Sequence, residues 1–428
     1  MHLVESFHLP VREVCSVHKS KLDGKPFQIK EIRNSYTLPF LGYSRILLHL
    51  LCAWGYMKNA VLAIVASVFL FPADGFGIEY RRQAQDVRSL GMGNTGIASA
   101  HTSSAIFYNP AVLANITEGW IDLPAVQAIY SDGAKSLYKD IQGSGFLETK
   151  KEQQDFMDKY IGEEVYIQAD VGASFFFNVD PKGFTVGGNW LYERIYDYEV
   201  SNPPTPQIEA FERYDRIKQI GFSYPIGLGQ IVLGVAGKVV RRSEKSFVFT
   251  TSQMLAEEKF PSPGFPDVND GETADGHGWD IGFLWRIPTR YKWAVGGVWR
   301  KEVDLDEKVA NVPEESAIGA TMAHTFGVFR WTFALDLRDI SFKQGSDGDR
   351  SKNRRVHTGM ELSIFPTSDL NYLLSLRAGY NQGYPTTGAE LRLGNLLVLG
   401  YARYTEETGE YGGEKGSKRT AWFVSFGF

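Results

Sequence analysis

From Gly119 to the C-terminus, apolar and polar residues alternate with a period of two, in runs of about ten residues bounded by turn residues. One run is especially regular: Phe329, Trp331, Phe333, Leu335 and Leu337 share a face, while Arg330, Thr332, Asp336 and Arg338 share the other. In a second, Val165, Ile167, Ala169, Val171, Ala173, Phe175 and Phe177 oppose Gln168, Asp170, Ser174 and Asn178. Trp279, Ile281, Phe283 and Trp285 oppose Asp280 and Arg286, and Leu374, Leu376, Ala378 and Tyr380 oppose Ser375, Arg377 and Gly379. Each run is long enough for a tilted strand to cross a bilayer and half as apolar as a crossing helix would be.

Carried along the chain, the pattern predicts strands at 119–130, 165–178, 183–196, 209–224, 229–242, 276–287 and 291–302. Seven more follow at 313–325, 328–341, 353–366, 369–381, 385–394, 395–406 and 417–428. After even-numbered strands the links are short, as at Val179 to Lys182, Phe326-Gly327 and Pro366 to Ser368. After odd-numbered strands most are long and polar: 131–164, 197–208, 243–275, 342–352 and 407–416, with Gly383-Tyr384 the exception. An even strand number with loop length sorted by parity predicts an all-β fold, a closed up-and-down antiparallel transmembrane barrel with short turns on the periplasmic side.

Composition agrees. The 428 residues include 28 Phe, 21 Tyr, 9 Trp and 44 Gly, with 22% charged. Rings suit a lipid-facing wall, glycine a crowded interior, and charge the lumen and loops. A net charge of −5 leaves no basic footprint for nucleic acid. The two cysteines, Cys15 and Cys52, both precede the strands.

Met57-Lys58-Asn59, the apolar run Ala60 to Phe71, and Pro72 to Gly77 read as a signal peptide over 57–77. The run is too short for a spanning helix. Residues 1–56 read as an upstream extension before the true start at Met57, or alternatively as a long leader or an anchor. The expected organisation is therefore 1–56 extension, 57–77 signal, 78–118 pre-barrel segment and 119–428 barrel.

The pre-barrel segment contains Gly91-Met92-Gly93-Asn94-Thr95-Gly96. Its G-x-G-x-x-G spacing lacks the preceding strand and βαβ context of a dinucleotide site, so no cofactor is expected. With Tyr108-Asn109-Pro110-Ala111 just upstream of the first strand, it resembles the FadL-type outer-membrane transport superfamily of fatty-acid and hydrocarbon transporters and related PorV-like barrels. Arg377 to Asn381 and Tyr401 to Thr408 look like closing hairpins of PorV-like members. The resemblance implies that Gly91, Gly93, Gly96, Tyr108, Asn109, Pro110 and Ala111 form a hatch inside the lumen. The final strand places Thr420, Trp422, Val424, Phe426 and Phe428 on one face and ends on an aromatic residue. Trp422, Phe426 and Phe428 thus look like the signal read by the barrel assembly machinery.

Inward positions carry both signs: Asp170, Lys238, Asp280, Arg286, Arg330, Asp336, Arg338, Glu361, Arg377, Glu390 and Arg392. They suit either a polar path or charge pairs that fasten the hatch. Phe176, Leu191, Leu284, Phe365 and Phe423 also fall inward, as a pocket for an apolar ligand requires. Leu147 to Ile161 reads as an amphipathic stretch, either a substrate-capturing surface helix or a solvated loop helix. The histidines after the signal (His101, His277, His324, His357) assemble no acid–base constellation, so neither an enzyme nor a metal site is expected. By resemblance, the protein is exported to the outer membrane of a Gram-negative bacterium. There it contacts lipid and passes hydrophobic small molecules such as long-chain fatty acids or hydrocarbons. The alternative is a PorV-like accessory barrel that binds partner proteins for secretion or surface attachment.

Overall fold

The structure is a computed structural model. It describes residues 85–116, 119–142, 151, 155, 158–179, 183–201, 207–250, 272–306, 309–343, 352–367, 371–394, 396–409 and 415–427. The extension, the signal segment and Phe428 lie outside the described residues, as does most of the 147–161 stretch.

The strands are β1 (Trp120–Ser131), β2 (Glu164–Asn178), β3 (Thr185–Ser201), β4 (Gln207–Ile226), β5 (Ile231–Thr250), β6 (Glu272–Arg286) and β7 (Ala294–Arg300). They continue with β8 (Glu315–Phe326), β9 (Phe329–Leu337), β10 (Val356–Pro366), β11 (Tyr372–Asn381), β12 (Tyr384–Leu393), β13 (Leu397–Glu407) and β14 (Gly416–Gly427). Each pairs with its chain neighbours, and β1 pairs antiparallel with β14, so the sheet closes into a fourteen-strand barrel without free edges. Closure matters in lipid, where an unpaired backbone edge has no water to satisfy it.

The period-two pattern becomes two faces. On β6, Trp279, Ile281, Phe283 and Trp285 are exposed on the outside, while Gly278, Asp280, Gly282 and Leu284 are buried. Asp170, Asp336, Arg338 and Arg377 point inward and are buried, Arg286 and Arg330 inward and half-buried. Phe176 and Leu284 are fully buried inside. Phe365 is a correction: it is the penultimate residue of β10, with φ 61°, and is exposed. The chain reverses there, and the alternation stops being a guide.

Strand ends depart from expectation, among other places, at β3 to β5 and at β7. β3, β4 and β5 run to Ser201, Gln207 and Thr250, replacing much of the loops expected at 197–208 and 243–275. Polar residues populate both faces of these extensions, so hydropathy cannot mark them as strand. Cross-strand hydrogen bonds such as Tyr198 Oη to Glu212 (2.7 Å) and Ser201 Oγ to Glu209 (2.7 Å) tie the β3 extension to β4. β7 is shorter than expected, because the chain after Arg300 turns into the barrel. Val303, Leu305 and Val309 of that inturned connection are buried against Ile217, Val240 and Ala274.

Before β1 the chain forms α1 (Val87–Gly91), α2 (Ala105–Tyr108) and a 3-10 helix (Pro110–Asn115). α1 packs on β11 to β14, the 3-10 helix on β3 to β6 across the barrel, and Ile97 against β7 and β8. The segment therefore fills the lumen from wall to wall. In the connection after β1, α3 (Asp132–Gln142) lies at the end of the barrel opposite the short turns.

Candidate functional site: the plugged lumen

The plug is shaped by two local sequence signals. Asp86 accepts from the Arg88 amide and caps α1. Asn109 is extended (φ −165°, ψ 116°), as a residue before proline tends to be, and Pro110 opens the 3-10 helix. The Asn109 side chain then serves three partners. Its Oδ1 accepts from the Ala111 amide at 3.0 Å, and its Nδ2 donates to Ile97 O at 2.8 Å and to Phe283 O of β6 at 3.2 Å. One fully buried amide thus ties two parts of the plug to the wall.

Wall glycines make the fit possible. A Cβ at Gly234 would meet Ala111, one at Gly282 would meet Asn109, and one at Gly359 would meet Met92. Within the plug, Gly93 has φ 68°, and a Cβ there would collide with the carbonyls of Thr358 and Tyr380. Its amide donates to Thr386 Oγ1 at 3.0 Å, and the Thr386 hydroxyl donates to Gly91 O at 3.1 Å. Gly91 backs onto Gly388 of β12, and Gly96 onto the ring of Tyr108.

Charges on the β8–β12 side fasten the plug. Arg88 forms a bidentate pair with Glu361 (2.9 and 3.0 Å). Glu361 also accepts from Arg377 at 2.7 Å, and Arg377 reaches Glu390 at 2.8 Å. Asp336 accepts from the amides of Gly96 (2.7 Å) and Ile97 (3.0 Å). Arg338 pairs with Glu315 at 2.9 Å, donates to Asn94 and stacks 5.5 Å from the Tyr108 ring. Arg300 donates to Tyr108 O, and Arg286 donates to Asn115 Oδ1 at 3.0 Å. Asp170 accepts from Gln127 at 2.8 Å, and Gln127 also holds Gln85 O. Asp280 pairs with Lys238 at 2.9 Å within the wall. Arg88, Asn94 and Thr386 escaped the sequence reading; an arginine amid small plug residues was the one visible sign.

The opposite side is apolar on the short-turn side of a buried Glu193–Arg213–Asp215–Arg242 cluster. In the half nearer the short turns, Ile106, Ala111, Val112 and Leu113 of the plug pack on Phe176, Val232, Ala236 and Leu284. In the other half, Val303, Leu305 and Val309 pack on Ile217, Val240 and Ala274. Phe107 packs against both clusters and joins them. Between them the wall carries the Lys238–Asp280 pair, with Gln219 donating to the same Asp280 carboxylate at 3.1 Å. A small cavity of mixed lining lies beside this track at the short-turn end, between Asp86, Arg88 and Glu390 and the apolar Ile116, Trp120 and Phe423. Burial, aided by Arg88, lowers the His101 pKa to about 3, so its imidazole is neutral there. Among the described residues no group of side chains could hold a metal ion.

No family model matches the chain, and no curated protein sequence matches it. Solved structures similar to it include the Ralstonia pickettii toluene transporter TbuX (13% identity, covering 84% of this chain and 99% of that one, TM-score 0.47). The P. putida toluene transporter TodX is similar at 13% identity, covering 83% and 99%, with TM-score 0.46. A Pseudomonas aeruginosa FadL homologue is similar at 12% identity, covering 83% and 99%, with TM-score 0.36. These are likenesses of barrel to barrel; strand number, closure and plug stand on the register of this chain.

Proposed function

We propose that this protein is an outer-membrane barrel that passes hydrophobic small molecules, without an energy source, by rearrangement of its luminal plug. The observation that carries the reading is the apolar track joined at Phe107, from the inturned Val303–Leu305 connection to the cluster around Leu284 and Val232. An apolar solute that passes the buried Glu193–Arg213–Asp215–Arg242 cluster meets apolar surface along one side of an otherwise charged lumen. Displacing the plug exchanges apolar contacts with the protein for apolar contacts with the ligand. Cargo of the hydrocarbon or fatty-acyl class fits this track, and a polar nutrient does not.

The test is transfer of a small aromatic hydrocarbon or a labelled long-chain fatty acid into vesicles holding the purified protein. Uptake above empty vesicles is expected, and Phe107→Asp should abolish it while the barrel stays folded. Wild-type uptake no faster than empty vesicles would overturn the transport reading.

A second reading, a non-transporting accessory barrel for partner proteins, is favoured by one feature. β3 to β5 rise well beyond the length a bilayer needs and form a paired polar wall. It predicts no uptake, together with loss of partner binding when this wall is shortened.

A further inference from the structure

The outer surface of β3, β4 and β5 carries cations at one height. Arg194, Arg216, Lys218 and Arg241 point outward, alternating with buried Glu193, Asp215, Ile217, Val240 and Arg242. They lie eight to ten residues from the short turns that end their strands. About nine to eleven residues of tilted strand cross the hydrocarbon, so these side chains meet the headgroup level of the far leaflet. The register sets them side by side: Trp190 opposite Lys218, Tyr192 opposite Arg216, and Arg216 opposite Arg241.

Aromatic rings hold two of the cations in place. Lys218 Nζ lies 5.2 Å from the Trp190 ring. The Arg216 guanidinium sits 5.7 Å from the Tyr192 ring and 5.3 Å from the Tyr214 ring, and its Nε donates to Tyr214 Oη at 3.0 Å. Neither Arg216 nor Lys218 has a carboxylate within 4.0 Å among the described residues, whereas the outward Arg403 of β13 meets Asp132 at 2.8 Å. Arg241 has only a loose contact with Asp275, at 3.9 Å and well exposed. Directly towards the short turns lie exposed Ile220, Phe222, Val235 and Leu233, an apolar bed of acyl-chain character.

Cations fixed on rings at headgroup height above an apolar bed match a lipid that places phosphate over acyl chains. We propose that this face binds a phosphorylated glycolipid of the outer leaflet, with Arg216, Lys218 and Arg241 on its phosphates. The outer-leaflet placement rests on the membrane orientation proposed above; the site does not depend on what the lumen carries.

The test uses the full-length protein in neutral detergent, titrated with diphosphoryl lipid A or the same lipid dephosphorylated, with inorganic phosphate as a third arm. Expected is tighter binding of the diphosphorylated lipid, weakened by added salt and not matched by inorganic phosphate. Arg216→Gln with Lys218→Gln should lower its affinity by about five-fold per cation removed, with hydrocarbon uptake and heat-shifted gel mobility as in wild type. Equal wild-type binding of the two lipids overturns the proposal whether or not the variant folds. So does unchanged affinity in a folded variant, or inorganic phosphate competing at the lipid's own concentration.

Discussion

At the scale of single residues, depth in the membrane decides what a substitution costs. Ile220 faces outward partway along β4 and is 48% exposed, whereas Phe426, also outward, stands next to the last residue of β14. Arginine near the bilayer midplane costs roughly 2–4 kcal/mol and near an interface 0–1 kcal/mol. Ile220→Arg is therefore expected to destabilise the barrel by about 2–4 kcal/mol in denaturant unfolding from lipid vesicles. Phe426→Arg should change stability by less than about 1 kcal/mol. If Phe426→Arg nevertheless empties the membrane of protein, recognition during assembly is what was lost. Equal unfolding midpoints for the two variants would contradict the depth argument.

At the scale of elements, the plug is held by a chain of alternating charges from Arg88 through Glu361 and Arg377 to Glu390. Glu361 is the centre, 3% exposed, with two guanidiniums on one carboxylate. Removing one partner from a buried pair costs about 3–5 kcal/mol, because it leaves an uncompensated charge behind. Glu361→Gln is expected to lower plug docking by about that much, read as faster hydrogen exchange over residues 87–100 and raised conductance in planar bilayers. Exchange in the β4–β5 hairpin should be unaffected. Unchanged exchange in the plug would mean that the apolar side holds it unaided.

At the scale of the whole molecule, plug and wall are expected to be separable in stability. The wall is a closed ladder in which every strand has two partners, and the plug adds side-chain contacts to it. Changing Asn109 and Pro110 together to Ala removes the Ile97 and Phe283 ties and the fixed angle that opens the 3-10 helix. The double variant should keep its resistance to SDS at room temperature and its heat-dependent gel mobility while its plug becomes accessible to protease. Loss of the folded barrel instead would make the segment part of the wall's own stability.

What could be read from the sequence followed from physics local to a strand. Alternation separates the side chains of a strand into two faces, so the fourteen strands were legible from residue order, and loop lengths sorted by parity pointed to closure. The Gly-rich stretch and Asn109-Pro110 announced tight backbone, and the family resemblance suggested where it would sit. Only the tertiary structure decided which charge meets which, because Arg88 and Glu361 are joined across 273 positions of chain. It alone brought the Val303 connection inward, since an apolar triplet in a loop carries no signal of the wall it will cover. It alone extended β3 to β5, because strands in water need no apolar face and are specified by cross-strand partners instead.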